Sequence, residues 1–413
     1  LNKKKMSGQK YDTIVVGAGL VGLSTVYHLK KNNPDSRILL IEKEKTVAQH
    51  QSGHNSGVIH SGIYYKPGSL KAKNCIAGYH SIIEFAEEHN IAYDICGKVI
   101  VATSAAEIPK LNDIYERGVQ NGLQDLKRLK SLEEIREYEP HVAGVEAIHV
   151  PQTGIIDYPG VAMALLRLFQ QKYGGEAVFG EQVVKITPEK NSVHVETTKH
   201  TYTADNLVSC GGLFSDRVAN LTEKENDLRI IPFRGEYYKL REEKEYLVRN
   251  LIYPVPDPSF PFLGVHFTRM IQGGIEAGPN AVLAFKREGY RFSDFNLKDT
   301  QDTFSWPGFW KIAAKYGRTG LGEMYRSLSK AAFTKALQKL MPEVQEQDLV
   351  PGGAGVRAQA CDRNGNLIDD FDILNRRNII HVRNAPSPAA TSSLAIGQYI
   401  CNQLVGSKDA VIG

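Results

Sequence analysis

Two hydrophobic periods alternate along this chain, and the switches between them mark its elements. Tyr11–Val16 is a short, nearly unbroken apolar run, as in a strand buried on both faces. After a glycine turn, Leu20–Lys31 spaces its apolar residues as a helix does, and Arg37–Glu44 reads as a second strand with Glu42 near its end. The polar, glycine-rich stretch His50–Lys73 lacks periodicity, and a loop of that length is usually functional. Asn74–Asn90 predicts an amphipathic helix, Cys96–Gly122 a strand and then a helix, and Tyr158–Gly175 a helix packed back on the first sheet. Alternation in VVKI and VHVET within Glu181–Gly212 predicts a small antiparallel meander, with NLVSCGG as a return strand into the first sheet. Ile230–Arg241 and Pro261–Gly274 have strand character and are bounded by proline-rich loops such as Tyr253–Pro261. From Phe304 to Met341 the texture is helical, and the C-terminal stretch reads as a strand, a Pro/Ser loop and a helix.

These elements predict a fold of mixed α/β and α+β class. A discontinuous Rossmann-like domain is expected over residues 10–85, 150–228 and 346–413. A second domain, residues 86–149 and 229–345, is inserted as two segments on a mixed or antiparallel sheet, with a helical insertion at about 304–341.

The first turn carries specific chemistry. Gly17, Gly19 and Gly22 stand in the spacing G-x-G-x-x-G between a strand and a helix. Gly17 lets the chain turn, Gly19 lets backbone approach a pyrophosphate, and Gly22 lets the helix pack close to the strand. The helix N-terminus then offers N–H groups and a positive dipole end to phosphates. Glu42 lies at the tip of the second strand, where an acid accepts hydrogen bonds from ribose hydroxyls. The whole unit predicts a dinucleotide site. No second such unit occurs; GGAGVR (Gly352–Arg357) is not followed by a helical period.

Composition narrows the class without naming a reaction. At 413 residues, with 42% hydrophobic and 23% charged positions, the chain reads as a globular protein of two domains. A net charge of +4, with no basic block interleaved with aromatics, argues against nucleic acid as a partner. Five cysteines lack metal spacing and read as reduced thiols, which points to the cytoplasm. No metal site is expected, since His149, His194 and His200 form no ligand set with a carboxylate. The start, LNKKKMSGQK, lacks the apolar stretch of a signal peptide; Met6 is the expected natural start, and the segment is left out of the fold prediction.

Further stretches run in order over nearly the whole chain: GHNSGVIHSGIYYKPGSLKAK, PQTGIIDYPGVA, NLVSCGGLFSDRVA, PFRGEYYKL, GGIEAGPNAVLAF, GGAGVRAQA and NAPSPAATSSLAIG. On these the chain resembles the FAD-dependent oxidoreductases of the D-amino-acid oxidase and glycine oxidase superfamily. Within it, the closest likeness is to the family of L-2-hydroxyglutarate dehydrogenases (oxidases). The resemblance implies non-covalent FAD and oxidation of a dicarboxylate 2-hydroxy acid to the 2-oxo acid. The hydride goes to flavin N5 and the hydroxyl proton to a base. His60, in VIHSG, is the first choice for that base. His266 is expected on a strand lining the substrate face, and His54 is the loop histidine that would hold the flavin. Arg357, in GVRA, resembles an arginine that forks the α-carboxylate in amino-acid oxidase relatives, although Ala358 replaces their usual proline. Tyr64, Tyr65, Lys66, Arg234 and Tyr253 are candidates for the distal carboxylate, and Arg234 could equally pair with Glu236.

For FAD the resemblance implies Gly17, Gly19, Gly22, Glu42 and Lys43, and the loop Ser52–Ser56 with Ser52, His54, Asn55 and Ser56. Val183 is expected against the adenine, and Gly211 and Gly212 form a second glycine pair. Asn384, Ser387, Ala390 and Thr391 belong to a segment expected to close over the flavin. The resemblance also implies a membrane quinone, or O2, as electron acceptor. Trp306, Phe309 and Trp310 would then be exposed together on a peripheral, cytoplasm-facing membrane surface; otherwise they pack as a helical cap. Rival readings are an amino-acid, amine or glycerol-3-phosphate oxidase, and a non-catalytic FAD-binding module. The sequence leaves the oligomeric state open.

Overall fold

The computed structural model describes residues 5–223, 227–257 and 263–409. Side chains are described from residue 10 to 404, apart from those gaps and Arg318. An eight-stranded sheet runs β10 (Val183–Pro188), β11 (Val193–Thr197), β12 (His200–Ser209), β1 (Lys5–Val16), β2 (Ile38–Glu42) and β9 (Glu176–Phe179); β20 (Ile379–Asn384) adds to β12 and β19 (Asp372–Arg376) to β20. The pairs β1–β12, β1–β2, β2–β9 and β12–β20 are parallel, while β10–β11–β12 is the antiparallel meander.

Period two explains the burial. Val15, Leu40, Val208 and Ile380 pack against the helices Leu20–Asn32, Leu70–Glu88, Tyr158–Arg167 and Ser393–Asp409. Their neighbours Ile14, Val16, Leu39, Ile41 and Leu207 point to the other face, under Val183, Val193, Val195 and Tyr202. Two boundaries differ from the sequence reading. β1 starts at Lys5, inside the segment set aside, because Lys5 and Met6 find partners in His200 and Thr201. The second helix starts at Leu70, inside the supposed loop, because Ser69 Oγ accepts the Ala72 N–H.

A nine-stranded sheet runs β17 (Val282–Leu283), β13 (Leu228–Leu240), β16 (Ile275–Gly278), β15 (His266–Arg269), β14 (Leu251–Pro254), β5 (Lys98–Ala102), β7 (Glu146–Val150) and β6 (Lys127–Leu129), with β18 (Leu349–Asp362) beside β13. Val99, Val101, Ile252 and Phe267 face Phe333, Leu337 and Met341. Ile100, Ala102, Ile148 and Val150 face Leu111 and Ile114 of the helix Ile108–Gln120. A small sheet, β3 (Val58–Ile59), β8 (Gly154–Ile156) and β4 (Tyr93–Asp94), anchors the loop that carries His60.

The aromatic cluster after Phe304 is a cap, not a shared exposed patch. Trp306 and Phe309 are 3% and 9% exposed and pack on Ile231, Ile312 and Cys361, while only Trp310 of the three is open to solvent. Trp306 Nε1 donates to the Asp362 carbonyl at 3.1 Å, which ties the helix Pro307–Leu328 to β18. This removes the membrane surface expected from those three residues together. All five cysteines are free. Among the described residues no helix is long and apolar enough to cross a membrane.

Candidate active site

The glycine turn walls one side of a cavity of about 540 Å3. Gly17 has φ +103°, and a Cβ on it would lie 2.4 Å from the Cys210 carbonyl oxygen. A Cβ on Gly22 would lie 1.9 Å from the Gly17 oxygen. Gly22→Val is therefore expected to cost about 1–3 kcal/mol or more through overpacking against backbone. A lowered melting temperature with loss of bound dinucleotide would show it. Gly19 is different: its added Cβ would meet only Ser52 Oγ, at 3.2 Å, and the residue lines the cavity. Glycine there leaves room on the ligand side. The helix behind it has no side-chain cap at Gly19, although Ser52 Oγ accepts the Leu20 N–H at 3.0 Å.

Glu42 braces the turn and faces the same space. Its carboxylate accepts the Ala18 N–H at 2.6 Å and the Glu44 N–H at 2.9 Å, which leaves lone pairs for hydroxyl donors. Val183, Gly211 and Gly212 also line the cavity. Lys43 does too, but its ammonium is shared by Glu44 and Glu288, and His50 Nε2 stands 2.9 Å from Glu288. Glu44, His50 and Glu288 are the one group among the described residues with ligand atoms close enough to gather round a metal ion. Lys43 already supplies the positive charge there.

The loop after β2 is held by its own side chains. Asn55 Nδ2 donates to the Gln51 and Ser52 carbonyls, and its Oδ1 accepts the Gly57 N–H at 2.8 Å. Asn55 thus shapes the loop and has no amide hydrogen left over for a ligand. His54 stacks on Tyr290 with centroids 4.3 Å apart, and Ser56 is half-buried. In the C-terminal segment Ser387 is exposed and Ala390 half-buried. Thr391 is fully buried, and its hydroxyl meets the His60 N–H, the Tyr158 hydroxyl and the Val58 carbonyl within 3.3 Å. Its side chain therefore positions the His60 loop and does not offer itself to a cofactor. Asn384 Oδ1, at the end of β20, and the Ser392 and Ser393 hydroxyls, at the N-terminus of the helix Ser393–Asp409, are buried without a hydrogen-bond partner. Orphaned polar atoms in the segment expected to close over a flavin, a roomy Gly19 and a helix start with no side chain of its own as a cap all fit a dinucleotide cofactor.

Past Ser387 a second cluster forms. Ser387 Oγ stands 3.3 Å from His60 Nε2. The loop itself is pinned from behind: Cys75 Sγ donates to the His60 carbonyl, and Asn121 Nδ2 donates to the Gly62 and Tyr65 carbonyls. His266 stacks on Tyr253 with centroids 4.0 Å apart. His266 Nδ1 lies 2.9 Å from the Gly264 carbonyl, which can only accept, so Nδ1 carries the proton and Nε2 keeps its lone pair. Burial, and then the charges of Arg357 and Lys98, push His266 down to about 3. Burial, then Lys98, His266, Lys71 and Arg357, hold His60 well below the ordinary imidazole value. Both rings are therefore neutral at neutral pH and able to accept a proton.

Tyr253 carries His266 on its ring and shares Lys98 with Tyr64, and the charge of Arg357 acts on both His60 and His266, so these five predicted residues share one neighbourhood. It leaves out two predicted substrate residues. Lys66 is exposed, and among the described residues only its carbonyl is engaged, by Ser69. Arg234 is buried, and its guanidinium is bound to Glu236 at 2.9–3.0 Å and to the Arg291 carbonyl at 3.0 Å, so it is an internal strut. The sequence reading missed Lys98. It opens β5, and its ammonium lies 4.4 Å from the Tyr253 ring centroid and 5.1 Å from that of Tyr64. The available signal was a lysine directly joined to the apolar run VIVA, where alternation puts it on the Ile100 face of a buried strand.

The family of FAD dependent oxidoreductases matches residues 12–403. The chain is 57% identical over 392 residues to an L-2-hydroxyglutarate dehydrogenase of Indibacter alkaliphilus, which covers 95% of this chain and 98% of that one. It is 45% identical to the protein of that name in Escherichia coli K12, over 95% and 93% of the two chains. It is 46% identical to the human mitochondrial protein of that name, over 97% and 90%. L-α-glycerophosphate oxidase from Mycoplasma pneumoniae, solved with FAD bound, superposes with a TM-score of 0.78 at 22% identity, over 96% and 95% of the two chains. Glycine oxidase from Geobacillus kaustophilus gives 0.71 at 16%, over 96% and 95%. These two structures share the fold.

Proposed function

The chain belongs to the FAD-dependent oxidoreductase family, and we propose that it oxidises L-2-hydroxyglutarate to 2-oxoglutarate. The observation that carries this reading is the pair of imidazoles, His60 with Nε2 3.3 Å from Ser387 Oγ and His266 stacked on Tyr253, with the charge of Arg357 bearing on both. A 2-hydroxy acid needs a proton acceptor for its hydroxyl and a cation for its carboxylate, and this cluster has both.

Gly17, Gly19, Glu42, Ser52, Val183, Gly211 and Gly212, which line the glycine-turn cavity, would hold FAD non-covalently. When bound, it supplies the acceptor for the hydride that leaves the substrate's C2. Arg357 forks the α-carboxylate and fixes which face of C2 is presented. His60 accepts the hydroxyl proton at a ring nitrogen, and the Thr391 contact to its backbone N–H keeps the loop in place. His266 turns its Nε2 lone pair toward the same hydroxyl, because Gly264 holds the proton on Nδ1. We assign FAD to the eight-stranded sheet and substrate to the nine-stranded one; β18 departs from the sequence-based division, since it falls within residues 346–413 but pairs along β13. A quinone-type acceptor or O2 takes the electrons onward, consistent with a single dinucleotide motif in the chain.

Steady-state turnover with an artificial acceptor tests the substrate. L-2-Hydroxyglutarate should be oxidised in preference to D- or N-methyl amino acids and glycerol 3-phosphate; the reverse preference would reject the proposal. The pH profile tests the base. A protonated imidazole cannot accept the hydroxyl proton, so activity falls as pH drops through the histidine pKa. Because both rings are held low, the acid limb of kcat/KM is expected below about 6.5. An acid limb centred above about 7 would contradict the assignment.

A further inference from the structure

Five lysine and arginine side chains are buried among the described residues: Lys30, Lys71, Lys98, Arg234 and Arg287. Four have oxygen partners. Lys30 donates to the Pro34 and Ser36 carbonyls, Lys71 to Asp369, Arg234 to Glu236 and Arg287 to Asp216. Lys98 stands apart. Among the described residues none gives its ammonium a hydrogen bond or an acidic partner; it rests on the faces of Tyr64 and Tyr253. Beside it the Tyr64 hydroxyl is also buried without a hydrogen-bond partner. An orphaned hydroxyl beside an ammonium that has only ring faces for partners is costly unless something with acceptor oxygens joins them.

The titratable groups around Lys98 supply no anion. Cys75 and Cys96 are thiols raised to about 12 and about 11 by burial, so they stay neutral. His60 and His266 are neutral, and Tyr64 and Tyr253 are phenols held protonated by burial. Burial alone pushes Lys98 down to about 7, with no carboxylate to hold it up. On the sheet Lys98 pairs with Leu251, and Tyr253 follows two residues along the same face and carries His266 on its ring. The charges of Lys98 and Arg357 both bear on each of the two imidazoles. The histidines thus sit in the field of two cations, on β5 and on β18.

We propose that Lys98, with the Tyr64 hydroxyl, receives the second carboxylate of a dicarboxylate substrate and so sets the preference for a diacid over a monoacid. The inference rests on the proposed reaction at this same site. The ammonium stays unpaired until the substrate brings its own counter-charge. The aromatic faces of Tyr64 and Tyr253 hold it in place meanwhile.

The test compares L-2-hydroxyglutarate with L-2-hydroxyvalerate, which keeps the chain length and lacks the distal carboxylate, in FAD-loaded wild type, Lys98→Met and Lys98→Gln. In wild type the ratio of kcat/KM values should strongly favour the diacid. In both variants that ratio should collapse by about 100-fold, mostly through KM, as expected when a charged hydrogen-bonded partner of a buried group is removed. Lys98→Met should keep or raise the melting temperature, because it removes an unpaired buried charge. A preserved ratio would overturn the inference. So would an equal loss on both substrates, which would place Lys98 at the reacting hydroxyl. If wild type oxidises neither compound, the proposed reaction itself fails, a result distinct from either outcome.

Discussion

Replacing His60 with asparagine is expected to lower kcat/KM for L-2-hydroxyglutarate by about 100- to 10,000-fold, the usual range for removing a general base. The loss should fall on kcat more than on KM, because the proton moves in the transition state. FAD should remain bound with an unchanged oxidised spectrum. The features of the cofactor cavity, from Gly19 and Glu42 to Gly212, do not depend on the His60 ring. The loop should also keep its shape, since Cys75, Thr391 and Asn121 hold its backbone. His266→Asn separates the two rings. Its Nε2 points a lone pair at the same cluster, yet the ring is buried and tied to Gly264. If His266→Asn shows the large kcat loss and His60→Asn does not, the base is His266 and the roles are exchanged.

Arg357→Ala should raise KM sharply, with a loss in kcat/KM of about 2–4 kcal/mol, or roughly 30- to 1,000-fold. Arg357→Lys should recover little of it. A lysine supplies a point charge but not the two parallel N–H donors that orient a carboxylate. Arg357 lies on a face more than a third exposed, on a strand paired along its length with β13, so its replacement should barely change the melting temperature. A variant that bound and oxidised the substrate with wild-type KM would remove the α-carboxylate role.

The cofactor half of the molecule was readable because each part leaves a local trace. A strand, a glycine turn and a helix occupy consecutive residues, and Gly17 and Gly22 are required by backbone contacts that lie close in sequence or in one sheet. The meander and its return strand were readable from alternation. The substrate half depends on long-range pairing, which no local pattern reports. Lys98 opens a strand whose neighbour on the sheet lies more than a hundred residues away, so its burial between Tyr64 and Tyr253 is invisible until β5 and β14 are paired. Arg234 shows the converse. Its sequence neighbour Glu236 already suggested the internal pair, and the fold makes that pair. Trp306 and Phe309 could be read as interfacial or as a helical cap, and only the pairing of β13 with β18 shows the surface that buries them as a cap. Thr391 sits in the right segment, but its hydroxyl is spent on the His60 loop.

Anaerobic single-turnover mixing tests the central claim most directly. The FAD-loaded protein is combined with one equivalent of L-2-hydroxyglutarate, the visible absorbance of the oxidised flavin is followed, and the product is assayed. The account predicts bleaching with stoichiometric 2-oxoglutarate. No bleaching by this compound, together with bleaching by an amino acid, an amine or glycerol 3-phosphate, would contradict it.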